Sequence, residues 1–469
     1  MKRKKKNIVL EKLLVEDYAA EGKSLARLDG KVIFIENVVP GDVVDVQLMK
    51  SKKDWAEGRP LLFHSYSKDR VIPFCSHFGV CGGCQWQMLP YEKQLAYKTK
   101  QVEEVLKRIG KVSLPEMQPI LGAVETKFYR NKMEYTFGNK RYLLKEELND
   151  EAIDGHQNVV GFHAKGFFDK IVDLKTCYLQ AEPTNAIRLA IKEFARKNDW
   201  TFYDIRNHVG FLRTMQVRLC ETGELMVNIV VAENDGQKIQ SLMHYVMEQF
   251  PAITTLLYTV NTKWNDSMFD LEPAVFHGKG FVIEKLEQFQ FKIGPKSFFQ
   301  TNTKQGERLY QVAREFAELT GNEIVYDLYC GTGSIGIFVS EKAKKIIGVE
   351  MIPAAIEDAK VNAALNNLTD AEFYAGDVID ICNDEFFEAH GRPDVIITDP
   401  PRAGMHEKLV RKILEIAAPT VVYVSCNPAT QARDLQLLDK KYIVTKVQPV
   451  DMFPHTHHIE NVVQLKLRG

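Results

Sequence analysis

The sequence has no apolar run long enough to cross a membrane and no complete secretion signal. No window approaches the 18 uninterrupted apolar residues of a membrane span. The basic start, Lys2 to Lys6, is followed by only three apolar residues before charge returns at Glu11. With 18 prolines, 29 glycines and eight cysteines in 469 residues, disordered, collagen-like and disulfide-dense secreted classes are excluded as well. We therefore expect a cytoplasmic globular protein without a membrane partner.

Length and charge distribution indicate several domains and a basic front part. A length of 469 residues predicts about three domains. The net charge is only -1, but residues 1–130 carry 23 Lys and Arg against 16 Asp and Glu. This basic front part favours a polyanionic partner, with solvated surface charge as the alternative. We expect the protein to be a monomer.

The first two predicted domains precede residue 296. After a basic tail at residues 1–7, residues 8–68 alternate apolar and polar positions between turn signals, which predicts a small antiparallel OB-like barrel. Such barrels often bind nucleic acids. Residues 69–295 mix strand and helix patterns and form a predicted central α/β domain. Its helix at 92–109 is expected to pack on the domain that follows.

Residues 296–469 have the pattern of a doubly wound parallel sheet. Apolar strands alternate with helices, which defines an α/β fold class. The predicted buried strands are 323–328, 345–349, 394–398 and 420–425. A last strand is predicted to alternate, with Val463, Leu465 and Leu467 facing one way and Gln464, Lys466 and Arg468 the other.

A glycine-rich turn follows the first of these strands. Gly331 and Gly333 allow the backbone to approach a ligand at a helix N-terminus, although a Gly-x-Gly pair alone is a weak signal. Glu350 ends the next strand, as a carboxylate that binds ribose hydroxyls would, and Asp377 ends a third. The set resembles class I (Rossmann-like) S-adenosylmethionine-dependent methyltransferases. A dinucleotide-dependent dehydrogenase, the alternative, usually has a third glycine in this turn.

Two further strands end in motifs that carry chemistry. Strand four runs into Asp399-Pro400-Pro401-Arg402, a rigid turn that points polar groups into the ligand crevice. An amino-group methyltransferase would have an aromatic residue at position 402. Strand five runs into Ser425-Cys426-Asn427-Pro428. A cysteine at a strand end is commonly a packed hydrophobe, but the crevice position beside Asp399 favours a nucleophile.

Together these motifs resemble the RNA uracil-5-methyltransferase family. The segment 451–460, ending in Glu460, and the Phe-x-Gln-x-Asn pattern within 297–302 also match that family. Carbon 5 of uracil must be activated by a thiolate adding at carbon 6, and a base must later remove the carbon 5 proton. The resemblance implies Cys426 as nucleophile, Glu460 as base and Asp399 as a third catalytic residue. It implies an S-adenosylmethionine site made of Gln300, Tyr329, Gly331, Gly333, Glu350, Asp377 and Asp399, with Gln300 and Asp399 also orienting the uracil.

Three cysteines cluster in the central domain. Cys75, Cys81 and Cys84 lie within ten residues among glycines, and Cys177 is the candidate fourth ligand. The spacing alone leaves zinc open. The resemblance implies a four-iron, four-sulfur cluster that is structural or helps to present RNA. Another cluster of ligand types, His455, His457 and His458, is expected to serve local hydrogen bonding rather than a metal.

The identity of the RNA stays open at this point. The barrel, which the resemblance identifies as a TRAM domain, and the cysteine cluster are similar to the 23S ribosomal RNA enzymes. Bacterial transfer-RNA members typically lack both parts, although some cluster-containing relatives act on transfer RNA. A non-catalytic RNA-binding protein is the third alternative. The segment Phe128 to Lys132, aromatic and basic, is expected to contribute to the RNA surface.

Overall fold

The computed structural model describes residues 8–469 except 145, 149, 151, 152 and 154. The predicted basic tail, 1–7, lies outside the described residues. The N-terminal strands are β1 (Val9–Leu14), β2 (Asp17–Tyr18), β3 (Ser24–Leu28), β4 (Lys31–Ile35), β5 (Val43–Ser51) and β6 (Trp55–Ser65). They form one sheet in the order β1-β5-β6-β4-β3-β2 around an aliphatic core.

This N-terminal sheet differs from the purely antiparallel barrel predicted. β6 pairs antiparallel with β5 but parallel with β4. The eleven residues of β6 are long enough to pair with β5 along one edge and with β4 along the other. The chain therefore closes the sheet through one parallel pairing that alternation of apolar residues does not reveal.

The central part begins with α1 (Tyr91–Val105), extended by a π turn at Leu106–Gly110. The predicted helix at 92–109 thus spans two elements. Val102 and Leu106 are buried in the same apolar cluster as Ala432 and Leu435 of the C-terminal part, so α1 packs on that part.

A seven-stranded sheet in the order β13-β12-β11-β10-β7-β8-β9 forms the body of the central domain. Its strands are β7 (Lys132–Gly138), β8 (Val159–His163), β9 (Ile171–Asp173), β10 (Leu212–Leu219), β11 (Leu225–Val231), β12 (Thr255–Val260) and β13 (Ala274–His277). Two amphipathic helices, α2 (Thr184–Lys197) and α3 (Gly236–Gln249), pack on it. A hairpin of β14 (Val282–Leu286) and β15 (Phe289–Ile293) follows, with its apolar residues in the C-terminal core.

The C-terminal domain is the doubly wound α/β unit that the sequence predicts. Its sheet has the order β18-β17-β16-β19-β20-β22-β21. The strands are β16 (Ile324–Leu328), β17 (Lys345–Glu350), β18 (Ala371–Ala375), β19 (Val395–Thr398), β20 (Thr420–Ser425), β21 (Tyr442–Val450) and β22 (Glu460–Leu467). The helices are α4 (Thr303–Ala317), α5 (Ser334–Val339), α6 (Pro353–Leu365), α7 (Val378–Ile381), α8 (Asp384–His390), α9 (Glu407–Ile416) and α10 (Pro428–Leu438).

The last strand, β22, does not alternate in burial as predicted. It lies between β20 and β21, antiparallel to both, so both of its edges are paired, and its first six residues are all buried. Gln464, predicted to face the polar side, is buried and donates from Nε2 to the Phe316 carbonyl at 2.6 Å. No helix in the described part of the chain is long and apolar enough to span a bilayer.

Candidate active site

The carboxyl ends of β16, β17 and β18 carry the predicted cofactor residues. The turn after β16 uses left-handed backbone at Tyr329, Gly331 and Gly333, with φ of 61°, 53° and 78°. A Cβ at Gly331 would meet nothing within 4 Å, so that glycine leaves open space at the turn. A Cβ at Gly333 would lie 2.9 Å from the Phe373 ring, so Gly333 is needed for helix–strand packing.

Two carboxylates lie beside this turn. Glu350 accepts hydrogen bonds from the backbone N–H groups of Gly331 at 3.3 Å and Ile352 at 3.0 Å. Asp377 caps α7 by accepting from the Ile379 N–H at 2.9 Å. Burial raises the pKa of Tyr329, and the charges of Asp377 and Glu350 add to the increase. The structure therefore brings Tyr329, Glu350 and Asp377 together at one edge of the sheet.

The segment before α4 approaches the same edge from the other side. Asn302 caps α4 by accepting from the Gln305 N–H at 3.3 Å, and its side-chain amide donates to the Met452 carbonyl at 2.9 Å. Gln300 is buried, and its backbone carbonyl accepts from the Asn131 side chain at 2.8 Å. Gln300 is thus held between the central domain and the loop that precedes β22.

Three strands bring the predicted catalytic residues together. Asp399 follows β19, and Cys426 follows β20. β22 runs antiparallel to β20 with Ser425 opposite Asn461, so the same register sets Cys426 opposite Glu460. The 34 positions between the two residues in sequence are closed by strand pairing.

Burial and mutual charge raise the pKa values of these three side chains. Burial raises the pKa of the Cys426 thiol to about 12, and the Glu460 and Asp399 charges add to the increase, while Arg402 opposes it. Burial also raises the pKa of Asp399 to about 7, and that of Glu460 well above the ordinary value, with Asp399 adding to the latter. A carboxyl whose pKa is raised toward neutrality suits proton transfer near pH 7.

Arg402 lies where this edge meets the N-terminal barrel. Its carbonyl accepts from the Asn427 side chain at 3.0 Å, which fixes the turn after Asp399 against the turn that carries Cys426. Arg402 is exposed and lines a cleft of about 790 Å³ together with residues from all parts of the chain: Glu21, Gly22, Lys23, Glu36, Asn37, Gln85, Lys165 and His457. The cleft is open, and three of its nine lining residues are Lys or Arg.

The four predicted metal cysteines line one small cavity. Burial raises the pKa of Cys81 to about 12 and of Cys84 to about 11, and the other cluster cysteines add to both increases. Burial raises the pKa of Cys75 and of Cys177 as well. Four thiols around one largely apolar cavity are a donor set that fits an iron–sulfur cluster. Within the described residues, however, no three His, Cys, Asp or Glu side chains are arranged closely enough to hold a metal ion.

The histidines before β22 make hydrogen bonds, but the side-chain partners of His455 and His457 are distant in sequence rather than local as predicted. Gln94 pairs with Nδ1 of His455 at 3.1 Å, and Gln85 with Nδ1 of His457 at 2.6 Å. Burial lowers the pKa of His455, His457 and His458 to about 4, so they are neutral at pH 7. Sequence reasoning missed the glutamine partners, because they lie more than 360 positions away.

The segment 128–132 differs from its predicted role as an RNA surface. Tyr129 and Asn131 are buried, and the Tyr129 hydroxyl donates to the Pro454 carbonyl at 3.0 Å. The Arg130 guanidinium lies over the Phe453 ring at 4.9 Å. Most of this segment therefore joins the central domain to the loop that precedes β22, and only Phe128 is well exposed within it.

Fold and site together define a class I S-adenosylmethionine-dependent methyltransferase. The family model for tRNA (uracil-5-)-methyltransferases matches residues 278–468, and the TRAM domain model matches residues 11–61. An uncharacterized RNA methyltransferase of Bacteroides thetaiotaomicron is 53% identical over 96% of this chain and all of its own length. One of Chlorobaculum tepidum is 38% identical over 98% of this chain and 96% of its own.

A solved structure is similar over the same extent. The crystal structure of Pyrococcus abyssi tRNA (uracil-54, C5)-methyltransferase in complex with S-adenosyl-L-homocysteine has a TM-score of 0.75 and 28% identity. It covers 97% of this chain and 100% of that one. The chain therefore belongs to the RNA methyltransferase family whose catalytic domain is that of the uracil-5-methyltransferases, and it is an S-adenosylmethionine-dependent enzyme with an N-terminal TRAM domain.

Proposed function

We propose that this enzyme methylates carbon 5 of a uridine in 23S ribosomal RNA through a covalent bond between Cys426 and the base. The observation that carries the chemistry is the strand register that sets Cys426 opposite Glu460, with Asp399 close enough for its charge to raise the pKa of both. A nucleophile and a base within reach of one reacting ring are what carbon 5 methylation requires.

In the proposed mechanism, Cys426 Sγ loses its proton to a neighbouring base and bonds to carbon 6 of the uracil. The electron pair moves to the carbon 5–carbon 4–oxygen 4 enolate. Bound S-adenosylmethionine supplies the methyl group. Glu460 then removes the carbon 5 proton, and the carbon 6–sulfur bond breaks, which restores the carbon 5–carbon 6 double bond and releases Cys426. Asp399 and Gln300 hold the uracil edge.

In the cofactor site, Glu350 would bind the ribose hydroxyls and Asp377 the adenine. Tyr329 and Gly331 would line the same site, and Gly333 would shape its turn through packing. Gln300 and Asp399 would contact both the cofactor and the uracil. The support for this assignment is the joint position of these residues at the carboxyl edge of the sheet, where ligands bind in open α/β folds.

We propose further that Cys75, Cys81, Cys84 and Cys177 hold a four-iron, four-sulfur cluster, and that this cluster orders the segment leading into α1. The four thiols line the same cavity. Zinc is the alternative metal.

The identity of the RNA substrate is tested by mapping 5-methyluridine. The combination of TRAM domain and cysteine cluster favours ribosomal RNA, whereas the likeness to a tRNA (uracil-54, C5)-methyltransferase favours transfer RNA. Purified ribosomal and transfer RNA from a deletion strain should be incubated with the enzyme and tritiated S-adenosylmethionine, then digested and sequenced by mass spectrometry. Methylation of one uridine in 23S RNA is expected. Methylation confined to transfer RNA would contradict the proposal and identify transfer RNA as the substrate.

A further inference from the structure

The loop at residues 451–459 leads directly into Glu460 and begins with a buried charge. Asp451 and Lys98 of α1 form an ion pair of 2.6 Å between Oδ1 and Nζ, and both side chains are fully buried. The Lys98 ammonium also donates to the Phe453 carbonyl at 3.2 Å. Lys98 thus binds both the first side chain and the backbone of the loop, from a helix 353 positions away in sequence.

Two neighbours of Lys98 on α1 contact the same loop. The Tyr91 hydroxyl donates to Asp451 Oδ2 at 2.7 Å, and the Gln94 side chain accepts from the His455 backbone N–H at 2.8 Å. Positions 91, 94 and 98 are spaced by three and four residues, so they share one face of the helix. The first half of that face is therefore a polar surface fitted to the loop, and Val102 and Leu106 continue the face as apolar packing.

A buried ion pair is not what stability alone would select. Removing two charges from water costs several kcal/mol for each ion, and replacement by apolar residues is often neutral or stabilising. The best-attested use of a buried pair is to fix one arrangement of two elements. Here the element that is fixed ends at the carboxyl group opposite Cys426. Among the described residues, no hydrogen bond to the Glu460 carboxyl itself is found, so its position depends on the backbone that carries it.

We propose that Lys98 is a positioning residue for the reaction: its charge anchors Asp451 and so holds the loop that places Glu460 over the uracil ring. This inference rests on the proposed function, because it assigns Lys98 to the step in which Glu460 removes the carbon 5 proton. Attack by Cys426 and methyl transfer depend on β20 and on the cofactor edge of the sheet. Among the described residues, Lys98 has no hydrogen bond or ion pair to either, and the loop that it anchors meets the cofactor side through the hydrogen bond from Asn302 to the Met452 carbonyl. Loss of Lys98 should therefore slow product release more than bond formation.

The test compares Lys98→Met with Glu460→Gln and with the wild type on an RNA carrying the target uridine. Methyl incorporation in the first turnover is measured beside the release of free methylated RNA and the amount of denaturation-resistant protein–RNA adduct. For Lys98→Met we expect adduct to accumulate and release to slow about ten- to hundredfold, the effect of a misplaced catalytic group. Methyl incorporation and the KM for S-adenosylmethionine should change much less.

Two further variants keep this test decisive. Lys98→Met combined with Asp451→Asn removes both charges, leaves no unpaired buried ion, and should fold even where the single variant does not. It should still accumulate adduct. Arg314→Met is the matched control: it breaks a bidentate ion pair with Glu287, at 2.8 Å for both contacts, on α4. That variant should release product at the wild-type rate.

The outcomes separate the inference from the function on which it rests. Adduct at the wild-type level in the folded double variant, with all steps slowed equally, would show that Lys98 is only structural and would overturn the inference. RNA containing 5-fluorouridine should trap the wild type covalently, since fluorine does not leave as a proton. Failure of the wild type to form that adduct would overturn the proposed mechanism instead.

Discussion

Asp327, the second-last residue of strand β16, should make the stability of the catalytic domain depend on pH. It is 1% exposed, Oδ2 accepts from the Gly336 N–H at 2.8 Å, and Oδ1 has no partner. Burial raises its pKa to about 7, and the charges of Asp399 and Glu350 add to the increase. In the unfolded chain the pKa of an aspartate is about 3.9.

The sign and size of the effect follow from these two values. Because the folded pKa is the higher one, the stabilising contribution is complete below about pH 4 and is lost as the pH rises through about 7. The full difference corresponds to roughly 4 kcal/mol, of which roughly 2 to 3 kcal/mol falls between pH 5 and pH 8. Asp327→Asn has the shape of the protonated carboxyl and keeps the acceptor for Gly336. Relative to the wild type it should therefore gain roughly 2 to 3 kcal/mol in unfolding free energy from pH 5 to pH 8.

Hydrogen exchange measures this change in stability within the catalytic domain itself. Mass spectrometry of peptides from β16 and β19, at both pH values and corrected for intrinsic exchange, gives the free energy of opening for the ligand-free enzyme. Tryptophan fluorescence would not serve, because all four tryptophans precede residue 265. Asp394→Asn, at the exposed start of β19, controls for the chemical change. A difference between Asp327→Asn and the wild type that stays constant or shrinks as the pH rises would refute the reasoning.

Two more expectations concern the front half of the chain. Lys52→Glu with Lys53→Glu, both exposed at the turn between β5 and β6, should weaken RNA binding and flatten its dependence on salt, because phosphate contacts release counterions. The matched control is Lys408→Glu with Lys440→Glu, both exposed on the catalytic domain. Equal RNA affinity of the two double variants in a filter-binding titration would show that the turn between β5 and β6 does not contact the RNA. Protein purified without oxygen should contain about four irons per chain by metal analysis and absorb as an iron–sulfur protein. Zinc without iron under those conditions would reject the cluster.

The sequence predicts the catalytic fold well because its strands are local, apolar and regularly spaced. The predicted strands at 323–328, 345–349, 394–398 and 420–425 are found within one or two residues. The same locality explains the glycine turn, Glu350 and the strand ends that carry Asp399 and Cys426. Each of these is read from a short motif in which the side chain's position follows from its place at a strand terminus.

What the sequence does not predict depends on pairing between distant segments. The parallel contact of β4 with β6 and the interior position of β22 are set by tertiary closure, which burial patterns of single strands do not encode. The Lys98–Asp451 pair looks like a solvated lysine and a loop aspartate in the sequence, and only the packing of α1 on the C-terminal domain joins them. Tyr129 and Asn131 resemble an RNA-binding segment for the same reason and are buried instead.

The central claim is that Cys426 and Glu460 act in sequence on one uracil ring, and trapping of the covalent intermediate tests it most directly. Cys426→Ala should give neither methylated RNA nor adduct, because carbon 5 is never activated. Glu460→Gln should still incorporate the methyl group but remain bound to the RNA after denaturation, since elimination needs the base. Peptide mapping of that adduct should place the RNA on Cys426. Retention of uridine methylation by Cys426→Ala would contradict the covalent mechanism.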